Sequence, residues 1–404
     1  MDIEHAHIGH RIRELRSWRG LDQTVVAGLA GIGQSYLSKI ENGHKAVTTR
    51  ALLEALAHAL RVSPLDLTDQ PYTPPADNAD TQTARAVLGD LLGGWQVGEV
   101  PDAPGRPLDQ VLGELAAFQA ARNSSGPASA GGYPEQVATL APLIRDLLAA
   151  AVDPRLRRRA LPPLLTAYHV AGSIAARLRI PGMPSLAADR MRQVSDELGS
   201  PVWDAVSRWG RAHFLSGTNR QRQYEMAVAV ADDAPMERPE TRGMAHLTAG
   251  LAAAALGRAD TARTHLAEAA AIAGLVEPDV SPWPSGVMQF GRTNVGIFRV
   301  AVSVELGAGP QVTEIAKGVR TGSISRGRQA AFWIDLGRGM LADRQTRLRG
   351  TQALRRAHEL APQQLRTNAW AREAVTVALP TEQRRDVVRE LRWLAWEMGL
   401  APTG

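Results

Sequence analysis

The sequence predicts an all-α fold in two parts, a compact helical domain over residues 1–70 and a long array of helical hairpins over 135–404. Three observations carry this. From Ile8 to Leu67 apolar residues recur in short helical periods with sharp punctuation between them. From Asp69 to about Asp80 the periodicity stops and three prolines follow, which is the pattern of a linker. Beyond Pro134 one helical pattern succeeds another to the end of the chain.

A chain of 404 residues has room for two or three domains. No stretch approaches the ~18 uninterrupted apolar residues of a membrane span. Met1-Asp2-Ile3-Glu4-His5 lacks the basic start and apolar block of a secretory signal, so a cytoplasmic protein without a membrane partner is expected. The absence of cysteine excludes disulfides, thiolate metal sites and a cysteine nucleophile. The net charge of +5 says little by itself, but its placement is informative. Between Arg11 and Arg50 stand seven basic residues against three acidic ones.

The densest pattern is Leu21-Asp-Gln-Thr-Val-Val-Ala-Gly-Leu-Ala-Gly-Ile-Gly-Gln-Ser-Tyr-Leu-Ser-Lys-Ile-Glu-Asn-Gly. Asp22 can cap a helix from Gln23 to Ala30, and Gly31 supplies the left-handed residue that ends it. After the tight turn Gly31-Ile-Gly33 a second helix begins at Gln34 and stops at Asn42-Gly43. Val26, Ala30, Ile32, Leu37 and Ile40 point to a shared core, and Ala27 is small where the two helices cross. This is the arrangement of a helix-turn-helix, whose second helix enters the DNA major groove while the first lies across the phosphates.

On these residues, Ile8 to Leu67 resembles the Cro/C1-type (XRE) helix-turn-helix domain. Arg11-Ile-Arg-Glu-Leu-Arg is similar to the family's first helix. Leu52, Leu53, Leu56 and Leu60 form an apolar stripe like its fourth, and Ser63-Pro-Leu-Asp is a start signal for its fifth. The resemblance therefore implies a five-helix, lambda-repressor-like domain over 1–70. Two positions depart from the family: Gly33 stands where Ser or Thr usually caps the recognition helix, and Gly28 interrupts the helix before it at a cost of ~1 kcal/mol.

Carried over by position, the resemblance implies that Gln34, Ser35 and Lys39 meet base edges, with Ser38 nearby. Glutamine can pair with adenine and lysine can donate to guanine. Gln23, Asn42, Lys45 and Arg50 stand where the family contacts phosphates, which fix register rather than sequence. A lone lysine or arginine is usually a solvated surface charge, and it is the assembled motif that favours DNA contact for these residues as a group.

Residues 71–134 read as a linker with short helices. Periodicity returns over Thr83–Leu92 and Leu108–Arg122, and Asn123 to Gly132 is small and polar enough for a flexible loop. Within 135–404, Ala249, Gly250, Gly257, Ala262, Leu266 and Ala269 recur at the offsets of a helical hairpin with its turn at Gly257. Val206, Trp209, Gly210 and Gly217 suggest a second copy, and Leu354, Ala357 and Pro362 a third. These offsets resemble tetratricopeptide repeats. With Phe290-Gly-Arg-Thr-Asn294 and Leu391-Arg-Trp-Leu-Ala-Trp-Glu-Met-Gly399 they resemble the C-terminal half of actinobacterial XRE regulators, implying a tetratricopeptide-like α-solenoid that senses or dimerises.

In the hairpin register Arg208 and Arg211 lie on the first helix of one hairpin, and Arg292 and Asn294 near the start of another. They form a candidate ligand groove in which guanidinium forks would meet a carboxylate. Ion pairs between hairpins account for them equally well. The ten histidines show no metal spacing, and Gly31-Ile-Gly33 lacks the strand and third glycine of a dinucleotide loop. No Gly-x-Ser-x-Gly, phosphate loop or His-Glu-x-x-His occurs, so no enzyme activity, metal or cofactor is expected.

The expected function is transcription regulation through double-stranded DNA, with helix 34–42 in the major groove of a homodimer's operator. A peptide, small-molecule or protein effector would act on the solenoid. The alternative is a DNA-bound scaffold whose repeats dimerise and dock proteins constitutively, without a ligand.

Overall fold

Every regular element among the described residues is helical, and no strand is found among them. The computed structural model describes residues 8–68, 75–99, 101, 105–124, 132–215 and 219–400. No described helix is long and apolar enough to cross a membrane.

The first five helices are α1 (Ile8–Trp18), α2 (Gln23–Leu29), α3 (Gln34–Glu41), α4 (Arg50–Ala59) and α5 (Pro64–Thr68). The apolar positions of the sequence pattern close one core: Ile12, Val26, Leu37, Ile40, Leu56 and Leu60 are all fully buried. Burying a Leu or Ile contributes roughly 1.5–3 kcal/mol, which offsets the ordering of such short helices. Thr49 caps α4 by accepting from the Leu52 amide at 3.3 Å. The start of α5 is fixed where the Ser63 amide donates to Asp66 Oδ2 at 2.8 Å.

The stretch read as a linker with short helices holds two long ones, α6 (Pro75–Gly94) and α7 (Leu108–Asn123). Leu88, Leu91, Leu92, Val111 and Leu115 lie at helical spacing and join the core of the second part. Residues 69–74, at the start of the expected linker, and 125–131, in the expected loop, lie outside the described residues.

The array continues with α8 (Tyr133–Val152), α9 (Arg157–Arg177), α10 (Met183–Leu198), α11 (Pro201–Phe214), α12 (Arg220–Asp233), α13 (Pro239–Ala255) and α14 (Ala259–Ala273). It closes with α15 (Arg292–Glu305), α16 (Val312–Ala316), α17 (Arg326–Leu341), α18 (Arg347–Leu360), α19 (Pro362–Arg366), α20 (Ala369–Thr381) and α21 (Arg385–Glu397). Consecutive helices pack on each other, α9 with α10, α13 with α14 and α17 with α18, so each apolar face is covered by its neighbour in sequence.

The small residues of the hairpin pattern serve as close-approach points. A Cβ at Gly250 would meet Ala262 O at 3.3 Å and His265 Cβ at 3.4 Å, so α13 and α14 touch there. Gly210, which matches Gly250 by spacing, faces the other way: its Cβ would lie 2.6 Å from Met191 Cε on the preceding helix α10. Equal spacing thus marks tight packing in both places but does not fix which neighbour is packed. Gly217 lies outside the described residues.

Candidate nucleic-acid interface

The hinge between α2 and α3 is built as its glycines predict. Gly31 has φ +67°, and the Ile32 amide donates back to Ala27 O at 2.9 Å, which closes the end of α2. Asp22 and Gly33 take the extended N-cap conformation, but neither makes a side-chain cap. The end of α3 turns at Gly43, φ +71°, with the His44 amide bonded to Lys39 O at 2.8 Å.

This geometry sorts the faces of α3. Leu37 and Ile40 are buried, whereas Gln34, Ser35 and Lys39 are exposed on the surface and Ser38 is half-buried. Asn42, bonded through Nδ2 to Ser38 Oγ at 3.4 Å, and Lys45 are exposed beyond the end of the helix.

Gln34 is not a free side chain. Its Nε2 donates to Gln23 Oε1 at 2.8 Å, Gln23 Nε2 donates to Glu41 Oε2 at 2.8 Å, and Glu41 receives Arg16 through Nε at 2.7 Å and Nη2 at 2.9 Å. Glu41 is 2% exposed, so the Arg16 fork serves as its counter-ion, and that bond is the first cause raising the Arg16 pKa. The relay locks α1, α2 and α3 together behind the exposed face. Sequence reasoning missed Arg16 and Glu41. The available signal was an acid at the inner end of α3 with a facing arginine in α1.

Arg50, expected at a phosphate, is turned elsewhere. Its guanidinium pairs with Glu305 of α15, and its amide donates to the same carboxylate at 3.0 Å. Glu305 is fully buried and also takes Arg338 of α17 at 2.5 Å. Burial pushes the Glu305 pKa up, but the two arginines outweigh it and hold it down to about 2. Drawing Arg50 to a phosphate would leave the carboxylate of Glu305, 2% exposed, with Arg338 as its one remaining cation, so the buried pair opposes that contact.

The same seam is closed by Glu373 of α20, which accepts from the Ile8 amide at 2.8 Å and the Val47 amide at 3.2 Å. Trp370 packs on the first core and lies 5.6 Å from the Arg50 guanidinium. Val47, Thr48, Gly307, Gly339, Arg338 and Trp370 border a cavity of about 70 Å³ between the two parts. That volume suits a few waters and is well below the ~300 Å³ of ordinary ligand sites.

Residues 7–70 match the family model described as a helix-turn-helix domain. These residues form a helix-turn-helix domain. The solved structures similar to the chain include Bacillus thuringiensis PlcR in complex with the peptide PapR7 and DNA, at 14% identity over 67% of this chain and 96% of that one, with a TM-score of 0.25. The apo form of ComR from S. thermophilus is 15% identical over 77% and 90%, with a TM-score of 0.28. The apo competence regulator ComR from Streptococcus vestibularis is 12% identical over 99% and 100%, with a TM-score of 0.22. At these scores no residue role transfers to this chain. No curated protein matches it.

The four residues of the expected ligand groove are placed differently from one another. Arg208 is engaged by Asp204 at 2.8 Å and Asp233 at 3.1 Å, and Arg292 by Glu277 at 2.5 Å and Asp279 at 3.4 Å. Arg211 is exposed. Asn294 is wholly buried, its Nδ2 against Met288 O at 3.3 Å, because α15 turns that face into the core. The ion-pair account therefore describes Arg208 and Arg292, and the structure does not assemble the four into one groove. No group of three or more His, Asp or Glu is placed to hold a metal among the described residues.

Proposed function

We propose that this chain is a sequence-specific DNA-binding transcription regulator whose α3 reads the major groove and whose second part modulates that reading. The observation that carries the proposal is the surface of α3. Gln34, Ser35 and Lys39 stand exposed on the face opposite Leu37 and Ile40, on a scaffold fixed by the Arg16–Glu41–Gln23 relay. Base-reading groups held on rigid elements lose little freedom on binding.

In this reading Gln34, Ser35 and Lys39 contact base edges with Ser38 beside them, and Gln23, Asn42 and Lys45 contact phosphates. Arg50 is left to the seam. Three or four base-reaching side chains specify only a few base pairs, so two copies ~34 Å apart on an inverted repeat are needed for selectivity. The second part supplies the dimer contacts. Trp396, 62% exposed on the last helix, is one large apolar group available to them.

Modulation has a physical route in the seam, where Glu305, Arg338, Glu373 and Trp370 hold the helix-turn-helix domain against α15, α17 and α20. An effector that shifts those helices would shift the orientation of α3. Selecting bound fragments from genomic DNA with the purified protein, followed by competition gel shifts, tests the reading. Gln34→Ala and Lys39→Ala should each cost ~1–3 kcal/mol on the selected site and relax specificity, whereas Lys45→Ala should weaken all DNA alike. Uniform losses from Gln34→Ala and Lys39→Ala would sink the base-reading assignment. Light scattering of the whole protein should give a dimer, and a monomer at micromolar concentration would remove that part of the model.

A further inference from the structure

Three arginines of the second part converge with no acid among the described residues to neutralise them. Arg122 lies near the end of α7, Arg177 ends α9, and Arg328 lies in the first turn of α17. A Cβ at Gly327, next to Arg328, would lie 3.9 Å from the Arg177 guanidinium carbon and 3.6 Å from the Tyr133 hydroxyl. Arg122 and Arg328 are tied to each other through their neighbours. Gln289 Nε2 donates to Asn123 Oδ1 at 2.9 Å, and Gln289 Oε1 accepts from the Ser325 amide at 2.9 Å.

Among the described residues, none of the three guanidiniums makes a hydrogen bond or an ion pair; Arg328 alone has a contact of another kind, 5.5 Å from the Phe298 ring centre. The buried Arg338 and Arg347 have acids, Glu305 and Glu382, and the buried Arg190 and Arg220 have neutral acceptors, Leu92 O and Gln223 Oε1. Enclosed cations are ordinarily paired because desolvation is costly. Here burial and then mutual repulsion lower the pKa of Arg122 to about 10 and of Arg328 to about 9. All three are half-buried, so each keeps surface that a ligand can reach.

His169 completes the cluster. It is 3% exposed, stacked between Trp209 at 5.0 Å and Phe214 at 5.3 Å, and both of its ring nitrogens lack a partner. His213 lies 6.1 Å away. Burial, reinforced by Arg328 and Arg177, lowers the His213 pKa to about 3; burial, reinforced by His213, Arg122 and Arg328, holds His169 well below its usual value. Both imidazoles are therefore neutral at pH 7, and the cluster carries three positive charges with a buried, unused N–H beside them.

We propose that the convergence of Arg122, Arg177 and Arg328 around His169 is a binding site for a small organic polyanion carrying two or three carboxylate or phosphate groups. Two or three anionic groups match three guanidinium forks, and the Phe214 and Phe298 rings provide an apolar wall for the carbon frame. This gives the effector of the regulator reading its chemical class. It rests on that reading only for any consequence at DNA, since binding to the cluster needs no DNA.

The test uses the whole protein without DNA, titrated by calorimetry with citrate and separately with pyrophosphate, against sodium chloride of equal ionic strength. At least one of the two should bind saturably and raise the melting temperature. Citrate alone would assign carboxylates, and pyrophosphate alone phosphates. Arg328→Gln and Arg122→Gln should each weaken binding tenfold or more. In anion-free buffer neither should melt below the wild type, because each removes repulsion. Failure of both anions to bind above the chloride control overturns the site, as does undiminished binding in both variants. Gel shifts on the same samples separate the two proposals: anion binding without DNA binding sinks the regulator reading, and DNA binding without anion binding sinks this one.

Discussion

Replacing Glu373 by glutamine should change how stability depends on pH, in a direction fixed by its surroundings. The carboxyl group is 4% exposed and accepts two backbone amides, from Ile8 and Val47, with no cation paired to it among the described residues. Burial outweighs the two amides and pushes its pKa from the usual 4.5 up to about 7. A raised folded-state value means that the folded protein holds the proton more tightly than the unfolded chain does. The resulting stabilisation is complete below about pH 4.5 and is lost progressively as pH rises through about 7. At 1.36 kcal/mol per pH unit, that interval corresponds to about 3 kcal/mol. Glutamine keeps the size and one acceptor oxygen but cannot titrate. Scanning calorimetry of both proteins from pH 4.5 to 8 should show the wild type losing up to that amount relative to Glu373→Gln, with the gap constant above pH 8. Parallel curves across the window would refute the assignment of a buried, titrating carboxyl at the seam.

Three further outcomes are expected. Glu305→Gln takes the acid from Arg50 and leaves Arg338 with Asp335 alone, so it should cost ~3–5 kcal/mol, seen as separate melting of the helix-turn-helix domain; a single unshifted transition would contradict this. Glu41→Ala removes the acceptor of both Arg16 and Gln23, so it should lower stability by ~2–4 kcal/mol and weaken selective DNA binding through the released Gln34, which denaturant titration and gel shifts measure. Gly243→Ala would place a methyl 2.0 Å from the Phe290 ring and should destabilise by ~1–3 kcal/mol or more in thermal melts.

The helix-turn-helix domain was legible because its signals are local. Gly31 and Gly43 need positive φ, and Val26, Leu37 and Ile40 bury at helical spacing, all within one short stretch. The helical character of the second part was legible for the same reason. Its packing was not, since Gly210 and Gly250 share a spacing yet face different neighbours. The role of Arg50 was hidden because its partner Glu305 is 255 residues away and nothing in a linear pattern pairs them. The Arg122, Arg177 and Arg328 cluster escaped likewise: each lies on a different helix, and only the stacking of those helices makes the three charges a group. Arg208 and Arg292 illustrate the converse, conspicuous in the register but satisfied by acids on nearby turns and helices.

The relay behind α3 has a direction, and on the proposed reading that direction restricts what Gln34 can offer a base. Glu41 has only acceptors, so Gln23 must give it an N–H, which turns the Gln23 carbonyl towards Gln34. Gln34 must then spend one of its two N–H groups inward. What remains for the groove is one donor and one carbonyl oxygen on the same planar amide, the complement of the acceptor and donor pair on an adenine edge. A flipped amide would set two oxygens against each other, so on the proposed reading the polarity of the group offered to the base is dictated from the interior by the buried Glu41 carboxylate.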